Sequence, residues 1–344
     1  MRRWAAAVVL MLMVAVPALG RRKDKPEPEH EAHVLLRRAY DLTDIRAPRS
    51  VPFTMKVTFH GYPGIDFAKK HQPGIITGDG SYEETWISPH LWRREIRYPG
   101  YHAVEVFSDG VRKYQASSDY EPSRVLMMLT ALFYPIPRNL VSPEFGAYHR
   151  SWNVKHLVAG TLPYVKLTYM RRGANNDWFY FIYAFMPDGI PVQSNYLGMV
   201  TNWDRDSRFG GKIVPLHFYI QALGHTLLDA RVTIGAAGKV DPKRFEIAGP
   251  PARPGMTMRP IPTFELKLAW PVNPVSIELP SDANPPNHSS REIIDRNGRV
   301  REVELIDAPD PRATVNSIRG DRFTRFYPAK LDGSRCEETY WTRE

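Results

Sequence analysis

The sequence predicts a mainly β protein of the α+β class: a large antiparallel sheet bent around one apolar helix, followed by a small α+β unit. Three observations predict it. Between Val51 and about Gly249, short alternating runs are joined by turn dipeptides such as Asp109-Gly110. Within that region Pro122 to Tyr134 is apolar nearly all the way round, which suits a helix surrounded by protein and is satisfied by one lying inside a curved sheet. Residues 250 to 286 then carry ten of the 31 prolines, a density no continuous sheet tolerates because each proline removes a ladder donor.

Composition agrees with a folded chain. Of 344 residues, 43% are apolar, 12% aromatic and 24% charged, and that length favours two domains. Mean hydropathy of -0.39 excludes a polytopic membrane protein.

From the N-terminus, Arg2-Arg3, an apolar core from Trp4 to Val16 and Ala18-Leu19-Gly20 read as a cleaved secretory signal over residues 1–20. An uncleaved inner-membrane anchor is the alternative, disfavoured because the core is shorter than a comfortable membrane span and Pro17 and Gly20 close it. The expected location is the periplasm. The charged, proline-bearing residues 21–30 read as a linker. Glu31 to Asp44 sets Val34, Leu35, Leu36, Ala39, Tyr40 and Leu42 at a spacing that fits one apolar helix face.

Strands are expected over 51–60, 81–88, 92–98, 102–108, 111–117, 154–159, 162–170, 178–186, 190–197, 214–222 and 226–234, with Asp79-Gly80 and Asp188-Gly189 as further turns. After the proline-rich stretch, Phe264 to Trp270 alternates like an edge strand. Residues 291–295 and 300–306 flank Arg296-Asn297-Gly298 as a hairpin. Pro311 to Phe326 allows a short helix interrupted at Gly320, and 336–341 a final strand.

Formal charge falls from +9 to +7 once Arg2 and Arg3 are removed, which favours anionic surfaces such as lipid headgroups. Residues 291–344 hold 11 basic and 11 acidic side chains, so there is no basic C-terminal tail and no nucleic-acid partner is expected. The single cysteine, Cys336, allows no intramolecular disulfide; a buried thiol is its expected state.

No Gly-x-Ser-x-Gly elbow, His-Glu-x-x-His, phosphate-binding loop or dinucleotide fingerprint is present, so no catalytic residue and no cofactor are assigned. Gly74 to Gly80 lacks the Gly-Lys-Ser/Thr ending and reads as a loop before a strand. Asn202, Asp204 and Asp206 alternate like the start of a calcium loop but lack its glycine and closing glutamate, and read as a solvated turn. His30 and His33 have no third partner nearby and read as an exposed helix start, with no metal assigned. Glu83-Glu84 would point to opposite faces of a strand, as would Glu337-Glu338, so neither pair forms a carboxylate dyad. Aromatic side chains instead crowd the strands: Trp86, Trp92, Tyr98, Tyr101, Phe107 and Tyr114, then Trp178 to Phe185. The second run places aromatics on both faces, so its second face needs a partner, for which a lipidic ligand is one candidate.

Two resemblances follow from these residues. Residues 31–250 resemble the outer-membrane lipoprotein-sorting, LolA-like, superfamily: the helix at 31–44, a strand from Val51, the hairpin from Gly80 to Ile96, the apolar helix at 122–134, and Leu227 to Ile234 followed by Asp241 to Phe245. That resemblance implies a curved, unclosed half-barrel with helices on its concave face and a cavity for acyl chains. Leu126, Met127, Leu129, Leu132 and Phe133 would then line or plug the cavity, with Trp86, Trp92 and Phe181 beside them. Ile294 to Leu305 and Arg325 to Arg335 resemble the TonB C-terminal domain, which assigns residues 251–261 to a proline-rich linker and 262–344 to a TonB-like unit. In that family an edge strand pairs with a receptor peptide; here Glu337, Glu338, Thr339, Tyr340 and Trp341 would form it. Arg21 to Glu29 would extend only about 30 Å even as polyproline helix, too short to pull on a distant receptor as an energy transducer does.

The expected function is therefore a non-enzymatic periplasmic carrier of a hydrophobic ligand or a lipoprotein's acyl chain, with outer-membrane or envelope proteins as further partners. The alternatives are an envelope scaffold or energy-transduction accessory without a small ligand, and a secreted hydrolase whose residues meet only in three dimensions.

Overall fold

The computed structural model describes residues 28–63, 75–118, 121–136, 140–141, 152–159, 162–172, 178–196, 198–252, 266–267, 270–271, 289–295, 297–307, 326–327, 330–331, 334–335 and 338–343. The signal segment, most of the 21–30 linker, residues 253–261, the helix expected from Pro311, Cys336 and Glu337 lie outside these residues.

Twelve strands form one open, curved antiparallel sheet. They are β1 (Phe53–Gly61), β2 (Gly78–Ser88), β3 (Leu91–Tyr98), β4 (Tyr101–Ser108), β5 (Val111–Ala116), β6 (Trp152–Ala159), β7 (Leu162–Arg172), β8 (Trp178–Phe185), β9 (Pro191–Tyr196), β10 (Met199–Phe209), β11 (Lys212–Ala222) and β12 (His225–Ala236). Their order is β5-β4-β3-β2-β1-β12-β11-β10-β9-β8-β7-β6, so β1 is central and two meanders run outward from it. Helix α1 (Pro28–Thr43) precedes β1. Helix α2 (Ser123–Phe133) follows β5 and precedes β6, so the chain passes through it between the two outermost strands.

Alternation selects the inner face. In β1, Phe53, Met55, Val57 and Phe59 are buried while Thr54, Lys56 and Thr58 are exposed. The register carries that face into β2, where Trp86, Glu84 and Tyr82 stand opposite Phe53, Met55 and Val57, and into β12 through Ala230 and Val232. Helix α2 packs against β11 and β12 and supplies Val125, Met127, Met128, Leu129, Ala131, Leu132 and Phe133 to the core formed there. Helix α1 packs against β6 and β11, burying Leu36 and Ala39 in a second core with Leu167, Tyr183 and Phe185. On the opposite face, Phe245 from a single 3-10 turn (Pro242–Phe245) packs on Val104 and Val106.

At the turn between β4 and β5, Asp109 and Gly110 both have positive φ (52° and 76°), as the hairpin signal requires. Three expectations are corrected. Asp79-Gly80 is not a turn: it lies inside β2, paired with His60 and Phe59. Gly80 is there because the Phe59 ring occupies its side-chain space; a Cβ would sit 2.2 Å from the ring. Residues 199–209 are not a solvated turn but strand β10, with a bulge between Trp203 and Arg205. The alternating acids were its outward face: Asp204 and Asp206 are exposed while Trp203 is buried. Finally, Val34 is 52% exposed, so the inner face of α1 is carried by Ala32, Leu35, Leu36 and Ala39.

The C-terminal residues add short antiparallel pieces: β13 (Leu266–Lys267) with β18 (Lys330–Leu331) and β19 (Ser334–Arg335), and β14 (Trp270–Pro271) with β17 (Phe326–Tyr327). The hairpin of β15 (Ser289–Ile294) and β16 (Val300–Asp307) joins β20 (Glu338–Arg343) in a sheet of order β16-β15-β20. The hairpin falls where the sequence placed it, and β20 overlaps the strand expected over 336–341 at residues 338–341 and runs on to Arg343.

Candidate functional site on the concave face

The inner face of β1 to β4 is floored by aromatic rings in one cross-strand row. Phe53 stacks on Trp86 with ring centroids 5.6 Å apart, Trp86 stands opposite Trp92, and Trp92 stacks on Phe107 at 6.0 Å. A parallel row places Phe59 against Tyr98 at 5.3 Å, made possible by the bare backbone of Gly80 beneath Phe59 and of Gly61 beneath Tyr98. Such rows give a broad apolar surface with little rotamer freedom to lose on contact.

Helix α2 shares one core with these rows: it packs on β11 and β12, and its Phe133 ring meets Tyr82 edge-on at 5.6 Å. Ten of its eleven residues are buried, all except Thr130, as an all-round apolar sequence demands. Its first turn is tied to the end of β1 by Arg124, wholly buried, whose Nε and Nη2 donate to the Tyr62 carbonyl at 3.0 and 2.8 Å. Its last turn is tied by Trp203 Nε1, which donates to the Ala131 carbonyl at 3.1 Å. The Arg46 guanidinium lies 3.5 Å from the centre of the Phe133 ring, a cation–π contact in a desolvated setting.

Between the aromatic rows runs a buried row of charges. Arg46 donates to Glu84 at 2.7 Å and to the Tyr82 hydroxyl at 2.9 Å, and Tyr82 donates to Glu84 at 3.0 Å. On the next strands Arg94 donates through Nε and Nη2 to Glu105 at 2.8 and 2.6 Å, and Arg112 approaches Glu105 at 3.6 Å. Glu84, Arg94 and Glu105 are cross-strand neighbours, so hairpin register alone aligns them. Burial, then the Glu84 charge, pushes the Tyr82 hydroxyl well above its ordinary pKa, so it stays a neutral donor. Burial alone would lower the pKa of Arg94, but Glu105 outweighs it and the guanidinium stays charged. Only Arg112, at the β5 edge, is half-exposed.

The sequence-nominated residues meet here in part. Trp86, Trp92, Met127, Leu129, Leu132 and Phe133 fall in one core, and Leu126 is buried at 9% exposure. Phe181 lies on β8, and its side chain is outside the described residues. Thr339 and Tyr340 pair with Ile293 and Glu292 along β20, whose side chains are likewise outside them. The charge row was missed by sequence reasoning, although Glu84, Arg94 and Glu105 share the strand phase of Trp86, Trp92 and Phe107; projecting the hairpin registers would have found it. His30 and His33 sit on α1 beside an open surface pocket of about 530 Å3, together with Val34, Arg37 and Asp41. Among the described residues no three His, Cys, Asp or Glu side chains are grouped to hold a metal ion, and no helix is long and apolar enough to cross a membrane.

No protein-family model and no curated protein sequence matches the chain. Three solved structures are similar to it over nearly their whole lengths. A LolA superfamily protein from Nitrosomonas europaea is 9% identical, covers 63% of this chain and 97% of its own, and has a TM-score of 0.32. An outer membrane lipoprotein-sorting protein domain from Vibrio parahaemolyticus is 7% identical over 63% of this chain and 97% of its own, with a TM-score of 0.36. MucB is 12% identical over 84% of this chain and 96% of its own, with a TM-score of 0.29.

Proposed function

We propose that the chain is a non-enzymatic periplasmic carrier for a hydrophobic ligand or the acyl chain of a lipoprotein, bound on the concave face in the space α2 occupies. One observation carries this reading: α2 is an apolar rod, buried at ten of its eleven residues, that shares one core with the aromatic rows of the concave face. An apolar helix can be exchanged for another apolar rod of similar girth, because hydrophobic contact is non-directional. In this reading Leu126, Met127, Leu129, Leu132 and Phe133 are the displaced surface, and Trp86 and Trp92 the retained one. Native mass spectrometry of the mature chain, extracted without detergent, is expected to show bound lipid. An empty protein that also refuses a fluorescent fatty acid would sink the proposal.

A second reading is an envelope scaffold with no small ligand, whose working part is the TonB-like C-terminal unit. It is favoured by the position of β20, which among the described residues pairs only with β15 and so leaves one edge for strand addition. Proline substitutions at Thr339 and Tyr340 should then abolish capture of outer-membrane proteins from envelope extracts while leaving lipid content unchanged.

A further inference from the structure

Helix α2 begins without a cap from its own neighbourhood. Pro122 occupies the N-cap and offers no side-chain acceptor, although its carbonyl receives Val125 and Leu126 at 3.0 and 3.1 Å. The amide of Ser123 is satisfied from 179 residues away: Glu302 on β16 accepts it through Oε1 at 3.1 Å. Both residues are buried, Ser123 at 1% exposure and Glu302 at 1%. A carboxylate at this point also answers the partial positive charge of the helix start. Arg124, the next residue, is the one tied to the end of β1, so the first turn of α2 is held from two sides, by the large sheet and by the small one.

The small sheet links this contact to its outer edge. Glu302 stands opposite Ile293 on β15, and Ile293 stands opposite Thr339 on β20. One cross-strand rung thus runs from the start of α2 to β20, which among the described residues pairs only with β15.

We propose that Glu302 is a latch through which the C-terminal sheet controls whether α2 leaves the concave face. This rests on the carrier reading and adds its regulation. With Glu302 seated, the helix start is capped and α2 stays in the concave-face core. When a partner strand draws on β20, the rung shifts, the cap is lost, and α2 is released to make way for an acyl chain. The same coupling runs in reverse: cargo that displaces α2 frees the C-terminal sheet for its partner.

The test compares the full mature chain with its E302A and E302Q variants, using R299A, which alters an exposed side chain of the same hairpin, as control. Two quantities are read: amide hydrogen exchange over residues 123–133, and uptake of a pyrene-labelled fatty acid. In E302A, exchange in the first turn of α2 should accelerate about 5- to 30-fold, the effect of losing a helix-terminus carboxylate, and uptake should quicken with it. E302Q, which keeps shape and an acceptor oxygen, should move both in the same direction by less, and it carries the test if E302A fails to fold. Exchange unchanged in both variants overturns the latch. Accelerated exchange with unchanged uptake overturns it as a regulator and leaves the carrier reading standing. No uptake by any variant, wild type included, overturns the carrier reading itself.

Discussion

Arg94 and Glu105 are buried together, at 9% and 0% exposure, and neither could be left alone there. Replacing Arg94 with Met takes both of its hydrogen bonds from the buried Glu105 carboxylate, and the expected loss is about 3–5 kcal/mol of unfolding free energy. The double variant R94M/E105L, which removes both charges, should recover most of it. Chemical denaturation of the two variants checks this, and a double variant as unstable as R94M would contradict it. His217 behaves differently because it lies on the outer face. Its Nδ1 and Nε2 contact Asp204 at 2.6 Å and Asp229 at 2.9 Å. Partial burial lowers its pKa, but the hydrogen bonds to Asp229 and Asp204 outweigh this and raise it above the ordinary value of about 6.5. A raised folded-state pKa means stabilisation that is complete below about 6.5 and disappears as pH rises through the folded value. Unfolding midpoints should therefore fall between pH 6 and pH 8.5 in wild type, with H217Q removing part of that slope. An identical slope in H217Q would refute the assignment.

At the scale of elements, α2 differs from α1 in what it can tolerate. In α1 the outward positions Val34 and Arg37 meet solvent, whereas in α2 solvent reaches only Thr130. Leu129→Ala should cost about 2–5 kcal/mol, because the side chain is wholly buried and a cavity remains. Thr130→Ala, one position on, should be within about 0.5 kcal/mol of wild type. Equal effects at the two positions, measured by thermal or denaturant unfolding, would show that the helix is not enclosed. The two sheet edges are also unequal. Along β5 the chain from Ile247 to Ala252 closes the edge, through Ala252 N to the Arg112 carbonyl at 2.6 Å, Lys113 Nζ to the Ile247 carbonyl at 3.3 Å, and Gln115 to the Ala248 carbonyl. Such cover is the usual protection against edge pairing. At the opposite edge, Val158 on β6 is 70% exposed.

Across the whole molecule, what could be read from sequence was local. The hairpins were legible because two-residue alternation and Asp109-Gly110 are signals within a few positions of one another, and α2 because its apolar surface has no polar side. Strand β10 was hidden by its own outward acids, which imitate a turn. Gly80 was misread because its reason, the Phe59 ring, comes from another strand. The charge row needed three registers held at once, and the Ser123 to Glu302 contact spans 179 positions, beyond any periodicity. The position of β1 has one more consequence. Its two neighbours are β2, which follows it closely, and β12, which arrives only after the ten strands β2 to β11 have been threaded. A chain emerging N-terminus first can zip β1 to β5 hairpin by hairpin, yet must keep the other flank of β1 bare until the last strand returns. That loop closure is entropically expensive, and it makes the ribbon slow to finish and exposed to mispairing in the meantime.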